Sequence, residues 1–462
     1  MRNFILLLLF VAFAGLSGCK KIVDVGLPES QLVTKDIFSD SASVQSAVVG
    51  MYSFMYNYTN TEGSPYKSFI TTLLSLSADE TTYFSNNTYP QYQRNAIPIA
   101  DSRNLQLWAD SYTVIYMANN ILENIDGANA GSENFRRQVR GEALFMRAFC
   151  HFYLTNLFGD VPLITTTDVT VSRSVPRINQ RDVYAQIVED LKNARTLLAT
   201  DYRYSSGERI RVNHFAATAM LARVYLYMGM YQDAEAMSSE VIGNTADFQL
   251  EGDLDRVFQQ GSSEAIFQFA TDVYSATYVG RDFLPSEVTK LPNFVVREDL
   301  TASFEPGDLR RDAWVGTVTY GGRNYDYPNK YQLNGSSSGQ SDRVEYDMVL
   351  RLSEQYLIRA EARIELGMLD GAKDDINELR GRADLDLIPV SAPQTMKEQL
   401  LHERRVELFC EWGHRWFDLK RSNRADAVLG ALKPTWKSTA VLFPIPLRAR
   451  SSNTNLSQNP GY

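Results

Sequence analysis

Two segments of this chain share a pattern that is typical of helix–turn–helix units. Each has an alanine seven residues before a glycine and a second alanine five residues after it. The positions are Ala222, Gly229 and Ala234 in one segment and Ala360, Gly367 and Ala372 in the other. Small side chains let two helices pack closely and glycine takes the turn, so both segments resemble tetratricopeptide repeats. The copies lie 138 residues apart, which predicts a large insertion rather than a tandem array.

Three further segments carry apolar residues at helical spacing. They run over Trp108–Ile125, Val139–Leu157 and Ile187–Leu198, and a glycine follows each of the first two. Residues three and four apart share one face of a helix, so these stripes predict helices that pack into a core. We assign Trp108 to this packing. Together with the repeats, they indicate an all-α scaffold.

Residues 250–345 differ in composition from the helical segments. This insertion is rich in Gly, Asn, Asp and Tyr, and Val315–Tyr320 and Tyr325–Gln332 could pair as a hairpin around Gly321-Gly322. A long irregular excursion on a helical scaffold is usually functional or mobile. We therefore expect ligand contacts there.

The first residues predict a bacterial lipoprotein. Arg2 supplies a positive charge, and Phe4–Ala14 is an apolar run too short for a stable transmembrane helix. Leu16-Ser17-Gly18-Cys19 resembles the lipobox, which predicts cleavage before Cys19 and acylation of its thiol. More than one acyl chain gives stable anchoring without a membrane-spanning helix. The alternative is an ordinary signal peptide followed by a disulfide cysteine.

Charge and composition exclude several classes of function. The net charge of −9 argues against a nucleic-acid partner, which requires a basic face. None of the four histidines has metal-ligand spacing to another His or Cys, and the chain has neither a glycine-rich phosphate loop nor a Gly-x-Ser-x-Gly motif. We expect no cofactor, while a bound Ca²⁺ is left open. Cys150 and Cys410 could pair, but two buried thiols are the commoner outcome.

The segment from His402 to Arg421 combines charged and aromatic residues. Glu403, Glu407 and Glu411 form an i, i+4 stripe, with Arg404, Arg405 and Arg415 as available partners. Two of these carboxyls could serve acid–base catalysis, or the group could be a buried ion-pair network that fixes helix packing. We favour the network, because nearby arginines lower the pKa of glutamates, and a glutamate with a lowered pKa is a poor general acid.

Four stretches of the chain resemble the SusD/RagB family, the outer-membrane nutrient-binding lipoproteins of Bacteroidetes. They occur in the family's order behind the lipobox. The stretches are Ile22–Tyr52, Trp108–Pro162, Glu403–Arg421 and Leu442–Tyr462. Many members carry acidic residues after the lipid cysteine, whereas Lys20 and Lys21 stand here, so the leaflet that holds the anchor stays open.

The resemblance implies a tetratricopeptide-like helical-repeat scaffold with irregular insertions and a few short strands. It also implies a non-catalytic protein of the outer membrane, lipid-anchored and displayed at the cell surface. Such a protein would bind oligosaccharide and deliver it to a SusC-like TonB-dependent barrel transporter. The alternatives are peptide or other solute cargo with the same transporter, an all-α glycoside hydrolase that uses Glu403 or Glu407, and an envelope scaffold without a small ligand.

The resemblance and the composition together divide the chain into five parts. These are a signal peptide (1–18), a lipidated tether (19–40), an N-terminal SusD-like helical region (41–249), an irregular ligand-face insertion (250–345) and a C-terminal SusD/RagB-like region (346–462).

Sugar binding needs flat apolar faces and planar polar groups. Two loop regions offer both, and their candidate ligand contacts follow. The first region supplies Tyr83, Phe84, Asn86, Asn87, Tyr89 and Tyr92. The insertion supplies Tyr274, Tyr278, Arg281, Trp314, Tyr320, Arg323, Asn324, Tyr325 and Tyr327. For Trp314, packing against the scaffold is the better interpretation.

Overall fold

The computed structural model describes residues 38–56, 65–84, 89–127, 131–271, 276–287, 289–335 and 343–462. Cys19 and the tether therefore lie outside the described residues. Within these ranges, no helix combines the length and the apolar character that crossing a membrane requires.

The described chain is mainly helical, as predicted, and one turn of π-helix at Pro65–Phe69 leads into the second helix. The α-helices, labelled in chain order, are α1 Ser41–Tyr56, α2 Ile70–Ser77, α3 Pro90–Gln93, α4 Ser102–Asn124, α5 Glu133–Phe158, α6 Val169–Ser172, α7 Gln180–Leu197, α8 His214–Tyr227, α9 Tyr231–Gly243, α10 Tyr278–Phe283, α11 Glu298–Thr301, α12 Leu309–Trp314, α13 Leu352–Glu365, α14 Leu369–Arg382, α15 Pro393–Glu407, α16 His414–Arg421, α17 Ala425–Leu432 and α18 Leu447–Ser452.

The strands are short, and those of the described residues form antiparallel pairs. They are β1 Thr81–Tyr83, β2 Ala265–Phe269, β3 Phe294–Val296, β4 Val315–Tyr320, β5 Arg323–Pro328 and β6 Asp347–Arg351. The pairs are β1 with β3, β2 with β6 and β4 with β5. Since β2, β3, β4 and β5 belong to the predicted insertion, its strands pair with each other, with the preceding helical region and, through β2 and β6, with the C-terminal region.

Side-chain caps fix where the long scaffold helices begin. At each of four N-termini, an oxygen of the residue before the helix accepts a hydrogen bond from a backbone N–H in the first turn. The capping residues are Asp101 for α4, Ser132 for α5, Asn179 for α7 and Asn213 for α8.

The scaffold helices pack as a continuous row. Helix α4 packs on α5, α5 on α7, α7 on α8, α8 on α9, α9 on α13, and α13 on both α14 and α15. The α9–α13 contact makes the two tetratricopeptide-like units, α8–α9 and α13–α14, neighbours in space. The units that the insertion separates in sequence therefore form one stack.

The repeat residues take the predicted positions in both units. The four alanines are fully buried, and Gly229 and Gly367 have φ angles of 71° and 76° at the turns. Trp108 packs against Tyr112 and Phe158, as predicted. Cys150 and Cys410 are both buried free thiols.

The predicted hairpin is present, with a correction to its second strand. β4 occupies Val315–Tyr320, but β5 begins at Arg323 and ends at Pro328 rather than spanning Tyr325–Gln332. Gly321 and Gly322 both have positive φ, which a two-residue turn of the type favoured by twisted hairpins requires. This tight turn allows pairing to start at once, so Tyr320 lies opposite Arg323.

Substitutions at two glycines would distinguish the cost in stability of a left-handed backbone conformation from the cost of steric crowding. Gly413 at the start of α16 has φ of +73°, and a Cβ there would clash with Leu74 Cδ1. Gly229 has φ of +71°, but its nearest contact would be Tyr231 Oη at 4.0 Å. We expect Gly413→Ala to lower the free energy of unfolding by about 3 kcal/mol and Gly229→Ala by about 1 kcal/mol. Urea unfolding measures both, and equal losses would contradict the crowding at Gly413.

Candidate ligand-binding cleft

A cleft opens where the hairpin β4–β5 meets β1, β3 and α11. We call it the hairpin cleft. Its volume is about 740 Å³, which lies within the roughly 300–1,000 Å³ of typical small-molecule sites. Its lining residues are Thr82, Phe84, Val295, Val296, Arg297, Glu298, Asp299, Thr301, Ala302, Arg323, Asn324, Tyr325, Asp326 and Leu432.

Two aromatic rings meet in the hairpin cleft. Phe84 directly follows β1, and its backbone N–H donates to the carbonyl oxygen of Asn293 at 3.0 Å. The Phe84 side chain is 54% exposed, and its ring meets that of Tyr325 edge-on, with centroids 5.8 Å apart. The pairing of β1 with β3 therefore holds an exposed aromatic face beside the hairpin.

Polar groups next to these rings are held by the surrounding elements. Asp326 accepts hydrogen bonds from Thr301 Oγ1 at 3.1 Å and from the Arg311 guanidinium at 3.0 Å. Asn324 Oδ1 accepts from Thr319 Oγ1 at 2.8 Å. Carboxylate and amide groups fixed in this way are preorganised to exchange hydrogen bonds with hydroxyl groups.

Ion pairs form the rim and floor of the hairpin cleft. Arg323 donates to Glu298 at 2.7 Å, and its guanidinium lies 5.4 Å from the centroid of the Tyr325 ring. Arg297 Nε donates to Asp299 Oδ1 at 2.9 Å. The cleft thus combines an aromatic wall with charged groups that already have partners.

Arg405 on α15 connects the floor of the cleft to the scaffold. Its Nη2 lies 2.9 Å from Asp299 Oδ2 and 3.1 Å from Asp79 Oδ2. Arg415 contacts the same Asp79 carboxylate at 2.7 and 2.8 Å. Burial opposes ionisation of Asp79, but the two guanidinium groups outweigh it and hold the pKa of that carboxyl below its usual value. The segment before β1, which holds Asp79, and helix α11, which holds Asp299, are therefore joined through one charged cluster.

The structure brings four of the predicted contacts together in the hairpin cleft: Phe84, Arg323, Asn324 and Tyr325. Tyr83 and Tyr89 lie behind them, where both rings pack on Phe294 with centroids 4.9 and 6.2 Å away. These two tyrosines support β3 rather than line the cleft.

Two candidate contacts lie in the core, which corrects the assignment of Tyr92 and agrees with the packing interpretation of Trp314. Tyr92 is 0% exposed and donates its hydroxyl to Asp101 at 2.7 Å. Trp314 is 1% exposed and donates its indole N–H to the carbonyl oxygen of Leu254 at 3.1 Å. A ring without exposed surface offers no face to a ligand, so both residues have packing roles.

The remaining predicted contacts within the described residues are not part of the lining. The Tyr278 ring, on α10, contacts Lys67 and Arg281, whose cationic groups lie 4.3 and 4.8 Å from its centroid. Tyr320 is half exposed at the end of β4, and Tyr327 is partly buried on β5. Asn86, Asn87 and Tyr274 lie outside the described residues.

Sequence reasoning missed the β3–α11 side of the cleft. Val295, Val296, Glu298 and Asp299 line it, yet no local pattern distinguishes them from other residues of the insertion. The pairing of Thr81 with Val296 brings them to Phe84 across more than 200 residues. A single sequence carries no signal of such a long-range pairing.

The glutamate stripe forms a buried charge network, as we favoured. Glu403, Glu407 and Glu411 are all buried. Burial raises the pKa of Glu407, but the guanidinium groups of Arg382, Arg351 and Arg310 hold it well below its usual value. A buried carboxylate with these partners is unsuited to protonating a leaving group.

The partners of that network differ from the expected ones. Glu407 pairs with Arg310, Arg351 and Arg382 from other elements. Of the arginines we expected, Arg404 pairs with Asp418, and Arg405 and Arg415 pair with Asp79. Neighbouring positions on a helix point in different directions, so the stripe meets cations from segments packed against it.

Comparisons with known proteins match most of the chain. Residues 25–226 match a SusD-like family model described as "Starch-binding associating with outer membrane". Residues 305–462 match a SusD/RagB model described as "SusD family". A SusD-like protein P2 from Formosa agariphila is 27% identical over all of this chain and 99% of its own length.

Solved structures share the fold. A SusD superfamily protein from Bacteroides vulgatus superimposes with a TM-score of 0.80 at 22% identity, covering 92% of this chain and 100% of that one. A laminarin-binding SusD-like protein gives a TM-score of 0.77 at 24% identity with the same coverage. With two family models that together match more than half of its residues, the chain belongs to the SusD/RagB family.

Proposed function

We propose that this protein binds oligosaccharide in the hairpin cleft without catalysis and delivers it to a SusC-like TonB-dependent barrel transporter. A lipid on Cys19 would hold it at the outer membrane. The observation that carries the proposal is the exposed Phe84 ring, set against Tyr325 and beside fixed polar groups. Aromatic faces take the C–H side of a sugar ring, while carboxylate and amide groups take its hydroxyls.

Family membership supports this choice of ligand and location. The matching family model is described as starch-binding and associated with the outer membrane. A protein of the same fold is described as laminarin-binding. The burial of Glu403 and Glu407 within ion pairs supports a binding protein over an all-α hydrolase.

Alanine variants test the aromatic wall. We expect Phe84→Ala and Tyr325→Ala each to weaken binding to a recognised glycan about tenfold, because truncating an anchor ring removes one of the dominant contacts of such a site. Tyr116→Ala is the matched control, since Tyr116 is 49% exposed but lies on α4 outside the cleft. Calorimetric titration measures all three. An unchanged affinity in both cleft variants would place the ligand elsewhere.

Cargo and partner need a separate experiment. The tagged lipoprotein is expected to co-purify with a β-barrel transporter from its own outer membrane, and Cys19→Ala is expected to abolish palmitate labelling. A glycan array that stays blank while peptide pools bind would favour peptide cargo. Recovery without a barrel partner, and with no bound polymer, would contradict the proposal.

A further inference from the structure

The charged groups of the hairpin cleft are already paired within the protein. Arg297 donates to Asp299 and Arg323 to Glu298. Behind the lining, Arg311 is engaged by Asp326 and Arg405 by Asp299 and Asp79. Among the described lining residues, each guanidinium therefore has a carboxylate partner. The lining thus offers no unpaired guanidinium to an anionic ligand.

The pair at the rim differs from the others in exposure. The side chains of Arg323 and Glu298 are 66% and 90% exposed, whereas Arg405 and Asp79 are mostly buried. An anionic ligand that approached Arg323 would meet the Glu298 carboxylate beside that guanidinium. Glu298 itself stays at the rim as a negative charge, on a chain whose net charge is −9.

Resting on the glycan-binding role proposed above, we propose that the hairpin cleft selects neutral oligosaccharides and that Glu298 is the residue that excludes anionic ones. Neutral sugars suit the paired arrangement, because carboxylates are acceptors and sugar hydroxyls can donate to them without breaking an ion pair. Uronate or sulfate groups would instead meet the Glu298 carboxylate, and an unfavourable like-charge contact is an effective device for specificity.

The test measures binding of the whole protein to two polysaccharide sets. The neutral set is laminarin, starch, galactomannan and xylan, and the charged set is polygalacturonate and carrageenan. We expect a neutral polymer to bind at least about tenfold more tightly than either charged polymer, and its affinity to stay constant as NaCl is raised. Tightest binding to a charged polymer, with affinity that falls with salt, would overturn the inference while leaving glycan binding intact.

Glu298→Gln tests the assigned residue directly. Removing the negative charge beside Arg323 is expected to strengthen polygalacturonate binding about two- to fivefold at low salt, which is the size of one exposed ion pair. Asp201→Asn is the matched control, because it removes the negative charge beside Arg203, whose side chain is also 66% exposed but lies outside the cleft.

The outcomes separate the two proposals. Equal effects of Glu298→Gln and Asp201→Asn on polygalacturonate binding would remove the role of Glu298. If no polymer of either set binds, the glycan-binding role itself fails and the inference falls with it.

Discussion

Replacing Arg351 with methionine is expected to lower the free energy of unfolding by about 3–5 kcal/mol. The buried guanidinium lies 2.6 Å from Glu407 Oε1 and 2.9 Å from Glu411 Oε2. Its removal leaves two buried carboxylates with too little positive charge around them, whereas methionine keeps most of the apolar stem. Urea unfolding followed by circular dichroism measures the loss.

Two variants show whether this loss comes from uncompensated charge. Arg424→Met breaks a pair with Glu398 whose side chains are 36% and 49% exposed, and we expect it to cost less than about 1 kcal/mol. The double variant Arg351→Met/Glu411→Gln removes one of the stranded charges and is expected to be more stable than Arg351→Met alone. A loss for Arg351→Met as small as that for Arg424→Met would contradict the burial argument.

Glu80→Gln is expected to make the protein more stable at alkaline pH. Burial raises the pKa of Glu80 to about 8, and the Asp79 carboxylate adds to the effect, while the backbone N–H of Cys410 opposes it. The folded protein therefore keeps this proton at neutral pH. Glutamine preserves the oxygen that accepts from Cys410 N–H at 2.9 Å and cannot ionise.

The sign of the pH dependence follows from proton binding in the two states. Above its ordinary pKa of 4.5, Glu80 loses its proton when unfolded but keeps it when folded. Wild-type stability therefore falls as pH rises from about 4.5 towards 8, by about 1.4 kcal/mol per pH unit for this group. Over that window, the gain of Glu80→Gln relative to wild type is expected to grow by a few kcal/mol.

Denaturation curves between pH 5 and pH 8.5 would measure this gain. Glu189→Gln, at an exposed position of α7, is the control and is expected to follow the wild-type curve. Burial also raises the pKa of Asp347 to about 8, so Glu80→Gln keeps part of the pH dependence. Parallel curves for wild type and Glu80→Gln would mean that Glu80 ionises freely in the folded protein.

Sequence patterns predicted the helices and strands well where all the residues of a pattern lie close together in the chain. The spacing of Ala222, Gly229 and Ala234 indicated two close-packed helices, and α8 and α9 form around that turn. The Gly321-Gly322 turn indicated the hairpin. Turn conformation and close helix packing depend on neighbouring residues, so one sequence contains that information.

The candidate site was predicted only in part, because it is assembled across the chain. Phe84 and Tyr325 were both candidates from composition, but their contact depends on β1 pairing with β3. The same reasoning selected Tyr92 and Trp314, which tertiary packing buries. The sequence around an aromatic residue is similar whether its ring faces solvent or the core. Only the fold separates the two cases.

The sequence by itself determined the family, the helical scaffold and the buried character of the glutamate stripe. Helical periodicity and repeat spacing are local properties, so a single sequence contains them. Tertiary structure alone decided which cations meet that stripe, which strand lies beside Phe84, and where Glu298 stands relative to Arg323. These contacts join residues far apart in sequence, and their geometry arises only when the helices and strands pack.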